Sequence, residues 1–450
     1  MGDGSTVLVV AALREELEAA RVTALGGRQG GPGVSDWEER RADGDMPYLR
    51  GEYRTSGGGS LSVALARPVH MGGRATAPYV TGLVDRLRPA CVVMCGVCAG
   101  NPHDTALGDV VVAEPVYEWD EGKVSSSGLA ADQRQYRMQP RWVRVAQDLD
   151  PSALPSFGAA SEEESLLWLL ERLHRDHDPR TEPARGRYFP SGTWATRLDR
   201  WQTDGWITRD RNGAPRLTDA GAELVQRRLY DDVDGPQRLP FAVHVAPMAS
   251  GSAVMADGRI WKRLGSMGVR KIAAVEMEGA TIATIAHERR IPWLVAKGVM
   301  DHADAHKDDR YKHFAARASA EVLFDLLDRL AADLAAPAGP PPPPPVVVRG
   351  PVTRKDTTLA GLDAVVSALL DLPVIQDGQQ RRVVLDLLPR SISTQVPDHP
   401  TARLHVVALV RTCQRFPDGA RALLDAVRTA SGEGSPGLDA LAAAIDNHWR

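Results

Sequence analysis

The chain has 450 residues, 43% of them hydrophobic and 25% charged, with a formal net charge of −4. That length supports two or three domains with at least one large core, and the near-neutral balance excludes a globally basic nucleic-acid binder while leaving local patches open. Four cysteines are too few for a disulfide framework and no apolar run is long enough to span a bilayer, so the expectation is a cytoplasmic protein with no membrane partner.

In chain order, Val7–Ala11 reads as a buried strand and Arg14–Arg21 as the helix after it; without a small-residue cleavage site this start is not expected to be a signal peptide. Leu61–Ala66 predicts a strand, Arg74–Leu87 a helix, and Cys91–Cys95 a strand ending in the glycine turn Gly96-Val97-Cys98-Ala99-Gly100. Another strand follows Gly108, through Ala113. This alternation predicts α/β architecture with a parallel or mixed sheet.

The character changes near Ser161. Glu162–Arg175 reads as a charged helix, Trp194–Trp201 as an aromatic helical segment, and Ile207-Thr208 with Arg216-Leu217 as a ribbon about Arg211-Asn212-Gly213. A helix over Asp219–Leu229 completes an order that looks like a winged helix. Arg197, Arg200, Arg209 and Arg211 suggest nucleic acid, but Asp199, Asp204, Asp210 and Asp219 interleave with them. The weak electrostatic footprint favours an interaction or gating module over a DNA reader.

The α/β pattern resumes at Phe241–Val245. Residues 1–155 and 238–336 therefore read as one discontinuous α/β domain, with 160–232 inserted into it. A proline-rich linker spans 337–352, including the run Pro340–Pro345, which favours extended polyproline II. Over 353–450, helical periodicity at Leu359–Leu370, Gln379–Leu387, His405–Cys413, Asp418–Thr429 and Leu438–Ala444 predicts an all-α C-terminal domain.

Two acidic signatures stand out in the second part of the α/β domain. Val275-Glu276-Met277-Glu278-Gly279 opens an alanine-rich helix, and the strand Trp293–Ala296 delivers Met300-Asp301-His302-Ala303-Asp304. Carboxylates at a helix start and a strand end lie where α/β folds build sites over a sheet.

With these signatures go VVAALREEL at 9–17, GVCAGNPHDTALGDVVVAEP at 96–115 and MASGSAVMAD at 248–257. Together the segments cover most of the α/β domain and resemble the nucleoside phosphorylase/nucleosidase superfamily, especially the purine nucleosidases that hydrolyse methylthioadenosine-type substrates. The resemblance implies a three-layer sandwich with a mixed central sheet. It also implies a hydrolase in which Glu16 activates water, Asp301 protonates the purine at N7, and Glu278 with Met277 holds the ribose. Glu276, Gly72 and Gly96 are expected to line the same site. The chemistry agrees independently: an oxocarbenium-like sugar forms, and an adenine anion leaves poorly unless an acid protonates the ring.

Related phosphorylases hold inorganic phosphate with an arginine and a serine near the glycine turn; those positions here are Met94 and Val97, which favours water as the nucleophile. Tyr311 falls where the family puts an aromatic near the 5′ end of the sugar. Lys307, Arg310 and Lys312 around it would bind 5′ phosphates, as in ATP or AMP, or form a mixed-charge surface loop. Lys297 reads either as a partner of Glu16 or of a substrate group, or as a snorkelling strand-end lysine. Cys95 and Cys98 lack two further ligands at matching spacing, so neither a metal nor another cofactor is expected.

The segments RRVVLDLLP at 381–389 and HVVALVRTCQRFPDGARALLDAV at 405–427 resemble the helical effector-associated domains of bacterial conflict systems, adaptor modules that tether an effector to a partner. A plain helical dimerisation unit is the alternative. The combination implies a homo-oligomeric purine nucleosidase acting as a regulated anti-phage effector. The competing readings are a phosphorylase and a nucleotide-sensing, nucleic-acid-binding regulator without turnover.

Overall fold

The computed structural model describes residues 6–26, 31–42, 46–125, 128–131, 134–231, 235–267, 269, 271–304, 309–335, 359–397, 401–416, 418–432, 435 and 437–449. They belong to two compact units, residues 1–341 and 342–450. The expected linker at 337–352 and Lys307 lie outside the described residues.

The first unit begins with the apolar strand β1 (Thr6–Val10) and helix α1 (Arg14–Thr23). Glu15 and Glu16 sit in the first turn of α1 and Arg21 in its last, the order of charge that a helix dipole favours. β2 (Gly33–Val34), β3 (Glu38–Ala42) and β4 (Met46–Arg54) then form an antiparallel ribbon that joins β5 (Ser60–Ala66). After α2 (Gly73–Leu87) come β6 (Cys91–Gly100), β7 (Val110–Glu118), the short strands β8 (Gly122–Ser125), β9 (Gly128–Ala131) and β10 (Gln135–Tyr136), and α3 (Pro140–Gln147). β6 corrects one expectation: Gly96 to Gly100 is no turn but the second half of the strand, with Gly96 opposite Lys297, Ala99 opposite Asp301, and Gly100 opposite Ala274.

The insertion contains α4 (Glu162–His174), α5 (Arg185–Tyr188), α6 (Thr193–Thr203), the antiparallel ribbon β11 (Ile207–Arg209) and β12 (Pro215–Leu217), and α7 (Asp219–Asp231). Ser161 and Glu164 form a reciprocal capping box at the start of α4. Trp168, Phe189, Leu198 and Trp201 are buried in one apolar cluster, which also takes in Ala106 from before β7. The insertion's arginines are largely spent internally: Arg197 donates to Ser165 and the Tyr188 carbonyl, Arg200 pairs with Glu162, and Arg209 with Asp199.

The chain returns through β13 (Val243–Ser250), α8 (Arg259–Ser266), β14 (Ala274–Glu276), α9 (Gly279–Arg289), β15 (Trp293–Asp301) and the long α10 (Lys312–Ala335). β13 pairs with β7 from Val243 opposite Val110 to Ser250 opposite Glu118, so the insertion leaves and re-enters one sheet. β5, β1, β6 and β15 run parallel, whereas β14 is antiparallel to β6 and β15 is antiparallel to β7. The sheet is therefore mixed. α10 lies against β15 and β6 with α1 beside it, while α2 packs on α9, which covers β6 and β7. Every residue of β15 is buried, as expected for a strand covered on both faces.

A buried ion cluster fastens the insertion to the sheet. Asp109, wholly inaccessible, receives Arg187 of α5, His244 of β13 at 2.9 Å, and the N–H groups of Ala106 and Ala242. Burial alone would raise the carboxyl's pKa, but the bonds from His244 and Arg187 outweigh it and bring it down to about 2. A depressed carboxyl pKa contributes stability that is present above the unfolded value of 3.8 and is lost as pH falls through the folded one. The expected result is a loss of about 2 kcal/mol from this group between about pH 4 and pH 2. Urea midpoints across that range should show a steeper acid loss for the natural chain than for Asp109→Asn.

In the second unit, helices α11 (Leu359–Leu370), α13 (Gly378–Leu387), α15 (Ala402–Cys413), α16 (Gly419–Ser431) and α17 (Leu438–His448) match the predicted segments, with short α12 (Pro373–Gln376) and α14 (Arg390–Ser393) added. Leu369, Ile375, Val384, Leu409, Leu423 and Leu441 are among its core residues. Apolar stripes at helical spacing have done here what such stripes usually do.

Candidate active site

The ends of β1, β6, β14 and β15 converge on one cavity of about 190 Å³. Glu16, Glu276, Met277, Glu278 and Asp301 all line it, although they come from three widely separated parts of the sequence. Each carboxylate is at least nine-tenths buried, so each needs partners to stay in place.

Glu16 is held by backbone donors from two segments. Ala12 and Leu13 donate to its Oε2 at 2.8 Å each, and Val97 donates to Oε1 at 2.7 Å. A carboxylate oxygen can accept more than one hydrogen bond, so Val97 does not use up the capacity of Oε1. Gly96 makes the approach possible, because a Cβ there would sit 2.3 Å from Oε1. The N–H of Gly96 is held by Ser319 of α10 at 3.1 Å.

Glu276, the last residue of β14, is occupied by the protein itself. It accepts from Ser250, from the N–H of Glu278 at 2.9 Å and from the N–H of Gly279 at 2.8 Å, capping the first turn of α9. Glu278 accepts from the N–H of Gly72 at 2.7 Å, which gives Gly72 a role in orienting the carboxylate. Burial raises the pKa of Glu278, with repulsion from Glu276 and Glu16 adding to it and Lys297 opposing.

Lys297 answers these charges. Only 1% exposed, its Nζ lies 3.5 Å from Glu278 Oε2 and 3.7 Å from Glu276 Oε2. Burial would lower its pKa, but Glu16, Glu278 and Glu276 outweigh that and the net shift is upward, so the ammonium stays charged. The snorkelling alternative is excluded, since no solvent is within reach of its head group.

Asp301 ends β15, where its Oδ1 accepts the N–H of Ala303 at 2.8 Å. His302 beside it binds the Gly100 carbonyl through Nδ1 at 2.8 Å, and its own carbonyl accepts from Trp261 at 2.9 Å. The strand end is thus tied to both β6 and α8. Cys98 also lines the cavity, where burial pushes its thiol well above the ordinary value.

On the far side the expected cationic loop divides. Lys312 and Asp309 line the cavity, and Lys312 lies 3.4 Å from Glu15. Arg310 and Tyr311 are drawn instead to Glu171 of α4, at 2.6 and 3.4 Å. Ser250, inside the MASG segment, and Ser319 also serve the site, the first on Glu276 and the second on the N–H of Gly96, and neither carries a local sequence signal of that role. Met94 is fully buried in the core and Val97 has given its N–H to Glu16, so neither offers a phosphate a hydrogen-bonding side chain.

Residues 202–332 match the phosphorylase superfamily and residues 366–446 match effector-associated domain 2. The chain is 26% identical over 300 residues to the uncharacterized protein y4jS of Sinorhizobium fredii, covering 66% of this chain and 56% of that one. It is 27% identical over 267 residues to the 5′-methylthioadenosine/S-adenosylhomocysteine nucleosidase of Mycobacterium tuberculosis, covering 58% and 80%. With the ATP nucleosidase Cap17 of Escherichia coli it shares 22% identity over 322 residues, covering 72% and 51%. The chain thus spans about half the length of y4jS and of Cap17.

Proposed function

We propose that this chain, whose α/β domain is of the phosphorylase superfamily and whose helical unit is an effector-associated domain 2, is a purine N-glycosidase that hydrolyses the glycosidic bond of an adenine nucleoside or nucleotide. The observation that carries the reading is the convergence of Glu16, Glu278 and Asp301 on one cavity, each fixed by a backbone N–H.

In this reading Asp301 gives a proton to N7 of the purine as the C1′–N9 bond breaks, so the base departs neutral. Glu278, with Met277 beside it, binds the ribose hydroxyls, and those bonds strengthen as positive charge grows on the sugar. A water held by Oε1 of Glu16 attacks C1′ and loses its proton to that carboxylate. The products are free adenine and ribose or its 5′-phosphorylated form.

A phosphorylated 5′ end, as in ATP or AMP, is supported by Lys312 on the cavity wall and by the resemblance to an ATP nucleosidase. The effector-associated domain supports a regulated role in anti-phage defence, with a protein partner engaged through the helical unit. Half-exposed Met71 and Val254 at the cavity support a second copy of the chain as its cover.

Incubation with ATP, AMP, adenosine and methylthioadenosine in phosphate-free buffer should release adenine, detected by chromatography. Release that appears only on adding inorganic phosphate, with ribose 1-phosphate as product, would replace the hydrolase by a phosphorylase. Ligand binding without any base release would favour the sensor.

A further inference from the structure

Helix α4 of the insertion meets Arg310 and Tyr311, the residues just before α10. Glu171, on α4 and only 5% exposed, meets Arg310 at 2.6 Å, Arg172 at 3.1 Å, Arg175 at 3.4 Å and the Tyr311 hydroxyl at 3.4 Å. Burial would raise this carboxyl's pKa, but Arg172, Arg310 and Arg175 outweigh it and the shift is downward, which keeps Glu171 charged. The Arg310 guanidinium also lies over the Tyr311 ring at 4.8 Å from its centre. Three guanidiniums are thus gathered on one buried carboxylate.

Two further observations tie this cluster to the active site. A second, small charged cavity separates α4 from the end of β15, and Asp301 and Met300 line both it and the catalytic cavity. The chain leaving the insertion presses on the same segment: a Cβ on Gly235 would stand 2.0 Å from the Arg310 carbonyl oxygen. Tyr311 in turn starts α10, its carbonyl accepting the N–H of Ala315 at 2.8 Å, and Lys312 follows directly on the catalytic wall.

We propose that Glu171 is a positioning residue: through Arg310 and Tyr311 it sets the start of α10 and with it Lys312 on the cavity wall, making the inserted domain a working part of the active site. The proposal rests on Asp301 as proton donor. It gives the insertion a function that needs no nucleic acid, since any partner that shifts α4 shifts this segment with it.

Glu171→Gln keeps the shape of the side chain and removes its charge; Glu171→Asp keeps the charge. For Glu171→Gln, kcat for adenine release should fall about 10- to 100-fold, as small misplacements of a reacting group do, with KM for adenosine changed less than about threefold. Hydrogen exchange in peptides covering 299–304 and 309–316 should rise several-fold. Glu171→Asp should restore most of both readouts, and Glu163→Gln, which breaks the surface pair with Arg228 in the same domain, should alter neither. Unchanged exchange in Glu171→Gln overturns the proposal, as does a loss of kcat matched by an equal loss of folded protein. If the natural chain releases no base while exchange still rises in the variant, the latch stands and the nucleosidase reading falls.

Discussion

Asp301→Asn should lower kcat for adenine release by about 10²- to 10⁴-fold, the range over which a positioned general acid acts. The substitution isolates the proton. Asparagine retains an oxygen able to accept the N–H of Ala303, the bond made by Asp301 Oδ1 at 2.8 Å, so this tie at the end of β15 is kept. His302 continues to anchor the strand end through the Gly100 carbonyl and Trp261. KM should therefore change little and the melting temperature should stay within about 2 °C of the natural chain, a shift worth about 1 kcal/mol for a domain of this size. A riboside whose nitrophenolate leaving group departs without protonation provides the internal control: its hydrolysis should suffer far less than that of the adenine substrate. If both substrates lose activity equally, the defect is not in protonating the base. If neither does, Asp301 is not the acid.

The second large effect concerns stability. Lys297→Met should cost about 3–5 kcal/mol at neutral pH, because it leaves buried charges without their counter-ion. Lys297 faces Glu278 and Glu276 from 3.5 and 3.7 Å, and the charge of Glu16 acts on it as well. Methionine fills similar volume, so packing contributes little to the loss. The pH dependence has a definite sign. Glu278 has a folded-state pKa raised above its ordinary 4.5, so its charge costs stability at high pH and that cost is relieved as pH falls through the raised value. Without Lys297 the value rises further, and the gap between variant and natural chain should narrow between about pH 8 and pH 5.5. Urea midpoints at the two pH values measure this. The double variant Lys297→Met with Glu278→Gln should recover part of the loss, which a double-mutant cycle would report as coupling between the two positions. A gap that widens on acidification would show that the ammonium is not balancing these carboxylates.

Much of this site was legible in the sequence, and the parts that were not share a physical reason. Glu16, Glu278 and Asp301 could be singled out through the resemblance of their flanking segments to the nucleosidases, while periodicity supplied only the strands and helices between which each acid sits. The glycine segment after Cys95 misled, since glycine suggests a turn. Here it marks a close approach within a strand, forced by the Glu16 carboxylate and visible only once α1 and β6 lie side by side. The ribbon of β3 and β4 escaped because Glu38-Glu39-Arg40-Arg41 carries charge on both sides and shows no alternation. Tyr311 was expected near the sugar from the family resemblance, and local charge left Arg310 between a phosphate ligand and a mixed-charge surface loop. Their partner Glu171 stands 139 and 140 positions earlier, beyond any local reading.

The four thiols have a practical meaning for a protein of this kind. Cys91, Cys95, Cys98 and Cys413 are all free and buried, and burial raises the pKa of each. Nucleophilic sulfur chemistry runs through the thiolate, which these groups withhold at neutral pH. Cys98 stands on the wall of the catalytic cavity and is nevertheless a poor target for peroxide or alkylating agents. Thiol-directed reagents should therefore leave activity unchanged at neutral pH. A chain built in this way keeps the cysteine beside its site unmodified where an accessible, ionised cysteine at the same place would react.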